Sequence, residues 1–165
     1  MKRSSVLFVC LGNICRSPMA EAAFRKILKE KGKLNDFDID SAGLIAYHQG
    51  ELPDNRMRYF AGKRGYSLTH LSRPFMHADF DQFDMIIGMD EQNFAGLTAK
   101  AHTPEENQKI HRMIDFSRKF QPTHIPDPYY GRNEMEVQWV GEKDWLVERT
   151  FDVPDSLLAK KSVCL

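Results

Sequence analysis

Cys10 and Arg16 stand with five residues between them in the run Val9-Cys10-Leu11-Gly12-Asn13-Ile14-Cys15-Arg16-Ser17-Pro18. A thiol nucleophile beside a guanidinium suits attack on a phosphorus atom. Arg16 offers a planar fork to two phosphate oxygens, a geometry that lysine does not match. Gly12 lets the main chain approach a ligand closely. Ser17 is placed to donate a hydrogen bond to the sulfur as it departs from a phosphocysteine. A second chemical group lies far along the chain, in Ile125-Pro126-Asp127-Pro128-Tyr129-Tyr130-Gly131. Cleavage of a phosphate ester needs a proton for the leaving oxygen. Asp127, between two prolines that restrict the backbone, is a carboxyl held in a defined pose. Tyr129 and Tyr130 beside it would sandwich a flat substrate ring.

Elements must bring these groups together. Residues 6–9 form a short apolar run of the kind found in buried parallel strands. Ser17 reads as a helix N-cap and Pro18 as the first helical residue. Ala20, Ala23, Phe24, Ile27 and Leu28 then recur at helical spacing, and Gly32 ends the helix. A helix N-terminus therefore faces the loop. Its orphan N–H groups and dipole favour an anion, and the same field stabilises a thiolate. Cys10 is thus expected to be nucleophilic near neutral pH.

Further on, residues 37–40 alternate as a second strand, followed by Ser41-Ala42-Gly43. Asp54 and Arg56 open a helical segment marked by Met57, Phe60, Ala61 and Arg64 and closed by Gly65. Residues 84–89 read as a third strand, with Asp90 capping a helix that begins at Glu91. Residues 110–116 read as a fourth strand, residues 105–109 as polar and exposed, and residues 117–131 as a long loop carrying Asp127. Alternating strands and helices predict an α/β fold with a parallel sheet. Ligands in such folds bind at the carboxyl ends of strands, which is where Cys10 falls.

The loop resembles the C-x5-R-[ST] signature of protein tyrosine phosphatases, and the string from Cys10 to Pro18 is similar to the low-molecular-weight family in particular. The resemblance implies a three-layer domain over residues 1–165. Its central four-stranded parallel sheet would have strand order 2-1-3-4, as in phosphotyrosine phosphatase I-like folds. It implies Cys10, Arg16 and Asp127 as the catalytic set, with Leu11, Gly12, Asn13, Ile14, Cys15 and Ser17 completing the phosphate-binding loop. Asp127 would protonate the tyrosyl oxygen and then activate water against the phosphocysteine.

Asn13, Ser41 and His70 match residues whose hydrogen bonds hold that loop in shape, and Asn tolerates the left-handed conformation a tight loop demands. Tyr47 matches an aromatic pocket wall, which with Tyr129 and Tyr130 would admit a phenyl ring and select phosphotyrosine over shorter phosphoserine. Asp54 and Arg56 match a structural pair. Asp90 matches an aspartate expected to cap its helix and to contact Arg16 or the acid loop. The resemblance extends over about residues 5–135. Gly141, Glu142-Lys143-Asp144 and Pro154 then break the single final helix that the family pattern implies. Two shorter elements are expected in its place, with a last helical turn over residues 156–161.

The 165 residues suffice for one domain with a core. Lysine plus arginine equals aspartate plus glutamate at 23 each, so no basic excess points to nucleic acid. No apolar stretch reaches membrane-spanning length and no signal-peptide pattern follows Met1. The expected location is cytoplasmic, although secretion without a signal would leave the same sequence. The three cysteines, Cys10, Cys15 and Cys164, lack zinc-ligand spacing, so neither a metal nor another cofactor is expected. Cys15 reads equally as a small buried residue and as a disulfide partner protecting Cys10.

The expected partners are a phosphotyrosine protein or a small phosphate monoester, with inorganic phosphate as product, and the chain a monomer or weak homodimer. Three other functions compete. An arsenate reductase on the same fold needs relay cysteines, and none lies between Cys15 and Cys164. A protein arginine phosphatase favours a smaller, polar residue where Leu11 stands. A silent phosphopeptide-binding module would need neither the thiol nor the acid.

Overall fold

The computed structural model describes residues 3–116 and 127–130, without the side chain of Tyr130. Within them, four strands form one parallel sheet: β1 (Ser4–Cys10), β2 (Phe37–Gly43), β3 (Met85–Gly88) and β4 (Ile110–Arg112). The order is β2-β1-β3-β4, as expected. β1 is central, pairing with β2 from Ser4↔Phe37 to Cys10↔Gly43 and with β3 from Val6↔Met85 to Val9↔Gly88. Every one of its residues from Ser5 to Cys10 is buried, which is why residues 6–9 are continuously apolar rather than alternating.

Strand pleating still divides the core in two. Val6, Phe8 and Cys10 join Phe24 and Leu28 of α1 (Arg16–Glu30) on one face. Leu7 and Val9 join the opposite cluster. That cluster includes Phe80 of α3 (Asp79–Gln82) and Leu97 of α4 (Glu91–Thr98). The helix α2 (Asn55–Lys63) closes over the outer side of α1 through Met57 and Ala61, which pack with Ile14, Met19 and Ala23. Helices thus lie on both faces of the sheet. None in the described residues is long and apolar enough to cross a membrane.

Local signals set most boundaries. Gly32 takes a positive φ of 66° just beyond α1, and Lys33 N–H returns to the carbonyl of Leu28, a Schellman-type ending. Asp54 caps α2 by accepting the N–H groups of Arg56 and Met57. Asp90 caps α4 by accepting that of Asn93.

Three expectations need correction. α1 starts at Arg16 with Cys15 in the cap position, so Ser17 is not the cap and Pro18 is the third helical residue. The Ser17 hydroxyl has turned inward to the sulfur of Cys10, and a proline there still forfeits no intrahelical bond, since the first N–H groups of a helix have no partner. The second strand runs on through Gly43 rather than stopping before Ser41. The fourth strand ends at Arg112, and residues Met113–Phe116 coil into a 3-10 turn. The polar stretch before β4 is largely exposed, as expected, and forms a helix, α5 (Pro104–Gln108), begun by a capping box between Thr103 and Glu106. The expected C-terminal elements lie outside the described residues.

Candidate active site

The loop after β1 has its carbonyls tied outward. Leu44 N–H donates to the carbonyl of Cys10, Ile45 N–H to that of Leu11 and Asp54 N–H to that of Ile14, at 2.9, 3.1 and 2.8 Å. The Ser72 hydroxyl donates to the carbonyl of Gly12 at 3.1 Å. In a trans peptide the next residue's N–H points opposite to the carbonyl. The N–H groups of Leu11, Gly12, Asn13 and Cys15 therefore turn inward, towards the N-terminus of α1. Asn13 N–H confirms the direction by reaching the sulfur of Cys10 at 3.3 Å. The result is a concave set of donors around one buried thiol, a nest for an oxyanion.

Gly43 permits this packing. A Cβ on Gly43 would lie 3.0 Å from the Gly12 carbonyl carbon and the Leu11 oxygen, and 3.1 Å from the Asn13 nitrogen. The loop rests directly on the backbone of β2.

Asn13 locks the shape of the loop. Its φ is 57°, in the left-handed region that asparagine tolerates. It is wholly buried, with each hydrogen-bonding group of its amide satisfied. Nδ2 donates to Ser17 Oγ at 2.9 Å and to Ser41 Oγ at 3.0 Å. Oδ1 accepts from the backbone N–H of Arg73 at 3.0 Å and from His70 Nε2 at 3.0 Å. The Arg73 N–H fixes which end of the amide is oxygen.

Behind this amide stands Glu21, which accepts from the Ser41 hydroxyl at 2.8 Å and from Arg25 Nε at 2.9 Å. His70 Nδ1 lies 3.5 Å from both Glu21 and Asp40. Ser17 Oγ sits 3.1 Å from Cys10 Sγ. The structure thus brings Asn13, Ser17, Ser41 and His70 together in one connected group.

Arg16 is buried, its side chain 5% exposed, between two carboxylates. Its Nη1 meets Asp90 Oδ2 at 2.5 Å and its Nη2 meets Asp127 Oδ2 at 2.7 Å. Asp127 thus arrives beside Cys10 from 111 positions beyond Arg16. A 3-10 turn, Pro128–Tyr130, holds it: Tyr129 N–H donates to Asp127 Oδ1 at 3.1 Å, and Arg56 Nη2 reaches the Tyr129 carbonyl at 3.5 Å. Arg56 is itself fixed by Asp54. Burial opposes the charge on Asp54, but the hydrogen bonds from Arg56 prevail and hold its carboxyl below the usual range.

A cavity of about 200 Å³ opens above the loop. Cys10, Leu11, Gly12, Ile14 and Cys15 form its floor, with Asp127 at one side. Ile45, Tyr47, His48 and Tyr129 form the walls. Tyr47 is 81% exposed and Tyr129 42%, so both stand at the rim rather than deep in the cleft. The Tyr130 side chain lies outside the described residues.

Both Cys10 and Cys15 are free and buried. Burial, reinforced by the negative charge of Asp54, pushes the Cys15 thiol far above its ordinary range. Cys15 is therefore held as a neutral thiol.

Several contributors were not singled out from the sequence. His48 lies between the two rim tyrosines, with ring centroids 4.8 Å from Tyr47 and 6.0 Å from Tyr129. It is braced by Glu51, 2.7 Å from its Nδ1. Glu21, Ser72 and the Arg73 backbone support the loop from behind. Only the string Ser72-Arg73-Pro74 carried a signal for a turn, and nothing local said what that turn would touch.

Comparison with known proteins gives a consistent picture. Residues 5–146 match the model of a family described as low molecular weight phosphotyrosine protein phosphatase. A Gallus gallus protein of that description is 40% identical over 139 residues, 84% of this chain and 87% of its own length. The crystal structure of a protein tyrosine phosphatase from Entamoeba histolytica, with Hepes in its active site, superposes with a TM-score of 0.84 at 36% identity, covering 98% of this chain and 99% of that one. The Drosophila arginine phosphatase superposes at 0.78 with 29% identity, covering 96% of this chain and 97% of that one.

Proposed function

This chain belongs to the low molecular weight phosphotyrosine protein phosphatase family, and from that premise we propose that it hydrolyses phosphotyrosine through a phosphocysteine on Cys10. The observation that carries the reading is the encounter of three groups around one cavity. Cys10 lies in a ring of inward N–H groups, Arg16 stands beside it, and Asp127 is delivered to Arg16 from 111 positions further along the chain.

In the first step the Cys10 thiolate attacks phosphorus, forming an S–P bond as the P–O bond to the tyrosyl oxygen breaks. The inward N–H groups and the Arg16 guanidinium receive the three remaining oxygens, where charge develops in the transition state. Asp127 gives its proton to the leaving oxygen. In the second step water attacks the phosphocysteine, Asp127 takes its proton, the S–P bond breaks and inorganic phosphate departs. Ser17 Oγ accepts from Asn13 and lies 3.1 Å from Cys10 Sγ, placed to donate its own proton to the departing sulfur. The scheme calls for no metal, because Arg16 and the backbone dipoles supply the positive field.

The rim supports an aromatic ester. Tyr47, His48 and Tyr129 offer ring surfaces above the phosphate site, and the depth of Cys10 favours the longer phosphotyrosine over phosphoserine. Cys15, kept as a neutral thiol, is not a competing nucleophile. It is a nearby thiol able to capture an oxidised Cys10, and a reducing, cytoplasmic compartment would keep both reduced.

Substitution Cys10→Ser is expected to reduce phosphotyrosine hydrolysis to background while leaving circular dichroism and phosphate binding intact. Acid quenching of the native enzyme during turnover should yield a phosphorylated Cys10 by mass spectrometry. Undiminished turnover by the variant would overturn the covalent mechanism. Phosphotyrosine, phosphoserine and phosphoarginine peptides compared side by side test the substrate, with preference for phosphoarginine displacing the tyrosine reading.

A further inference from the structure

Away from the cavity, two histidines and a glutamate converge from separate segments. His77 stands just before α3, His102 follows α4, and Glu106 lies in α5. One donor atom from each falls within 4.8 Å of the other two. His77 Nε2 is 3.2 Å from Glu106 Oε1. Two donors held about 2.1 Å from a tetrahedral ion are separated by about 3.4 Å, so this spacing suits zinc with little movement. The imidazoles of His77 and His102 are stacked, with centroids 4.3 Å apart and planes 26° from parallel.

The carboxylate is already oriented. Glu106 Oε2 accepts the N–H groups of His102 and Thr103 at 2.5 and 3.3 Å, leaving Oε1 turned to His77. The His77 ring also packs on Phe80 at 5.4 Å between centroids. Backbone hydrogen bonds and an aromatic neighbour thus preset two of the three ligands, as outer partners do in metal sites.

We infer that His77, His102 and Glu106 form a surface binding site for a divalent transition-metal ion, zinc being the natural occupant. Two imidazoles and one carboxylate select borderline ions such as zinc, nickel or copper over magnesium and calcium, which favour all-oxygen sets. The half-exposed position of His77 leaves room for water as a fourth ligand. The site is separate from the phosphate-binding loop. α5 leads into the amino end of β4, whereas Cys10 lies at a carboxyl end of the parallel sheet. The ion would clamp the segment before α3 to the connection between α4 and α5, stabilising the fold by preferential binding to it.

Cobalt titration of the Cys10→Ser protein tests this with the reactive thiol removed. One equivalent is expected to give the visible bands of a low-coordinate cobalt centre, without the near-ultraviolet charge-transfer band of a thiolate ligand, and zinc should bleach it. His77→Gln and His102→Gln, each placed in that background, should weaken binding about tenfold or more and abolish the zinc-dependent rise in Tm. Placed in the native protein they should leave phosphatase activity unchanged, which reports that the variants fold. Full cobalt signal retained in both variants, a thiolate band, or no stoichiometric binding by the parent protein would overturn the site.

Discussion

Asn13 concentrates the geometry of the loop in one amide. A left-handed backbone and four side-chain hydrogen bonds meet there, so the loop's curvature and the position of Ser17 are set by the same residue. Asp127 is the opposite case, a side chain held by few contacts and placed mainly by its partner Arg16. Its proposed role as proton donor makes a specific demand. Asp127→Asn should slow hydrolysis of phenyl phosphate, a poor leaving group, by about 10²- to 10⁴-fold. Dinitrophenyl phosphate, whose leaving group needs no proton, should be slowed far less. Steady-state kinetics on the two esters decide it, and equal slowing would remove Asp127 from the proton transfer.

Among the elements, β2 does more than fill a place in the sheet. Its terminal Gly43 provides the floor on which residues 11–13 rest. Gly43→Ala would force a methyl group against backbone atoms that cannot move aside. About 1–3 kcal/mol of stability should be lost by overpacking. Turnover should fall about 100-fold if the loop shifts by the order of 1 Å. Gly62 in α2 is a matched control, since a Cβ there meets nothing within 4 Å. Gly62→Ala should stabilise by about 0.5–1 kcal/mol through helix propensity and leave kinetics unchanged. Thermal melts with kcat measured on both variants separate the two effects.

Over the whole molecule, the parallel sheet divides tasks between its faces and its ends. The α1 face carries an aromatic cluster in which Phe24 is wholly buried, with edge contacts of 5.7 Å to both Phe8 and Phe37. Phe24→Ala should cost about 3–5 kcal/mol, read as a lower denaturation midpoint at unchanged m-value. Because α1 also presents its N-terminus to the proposed phosphate site, this loss should be accompanied by weaker phosphate binding. The carboxyl ends of the strands hold the Cys10 loop, and the opposite side receives the His77, His102 and Glu106 cluster.

What the sequence determined by itself was local. Residues 6–9, the Cys10 to Arg16 spacing and the helical periodicity after Ser17 specify strand, loop and helix, because pleat, turn and helical repeat act over a few residues. Gly32, Asp54 and Asp90 likewise announced their helix boundaries, since capping involves only neighbours. The exact start of α1 was not readable. A serine before a proline is the ordinary cap signal, and only the nearby thiol and Asn13 turned its hydroxyl inward.

The short helices α3 and α5 were also missed, because four or five residues are too few for periodicity to register. Tertiary structure alone decided that Asp127 would meet Arg16, that His70 would reach Asn13, and that Glu21 would stand behind Ser41. It alone decided that His77 would face Glu106. Such contacts depend on how strands stack and which helix returns over which face, and that closure over long loops leaves no spacing in the chain to be read.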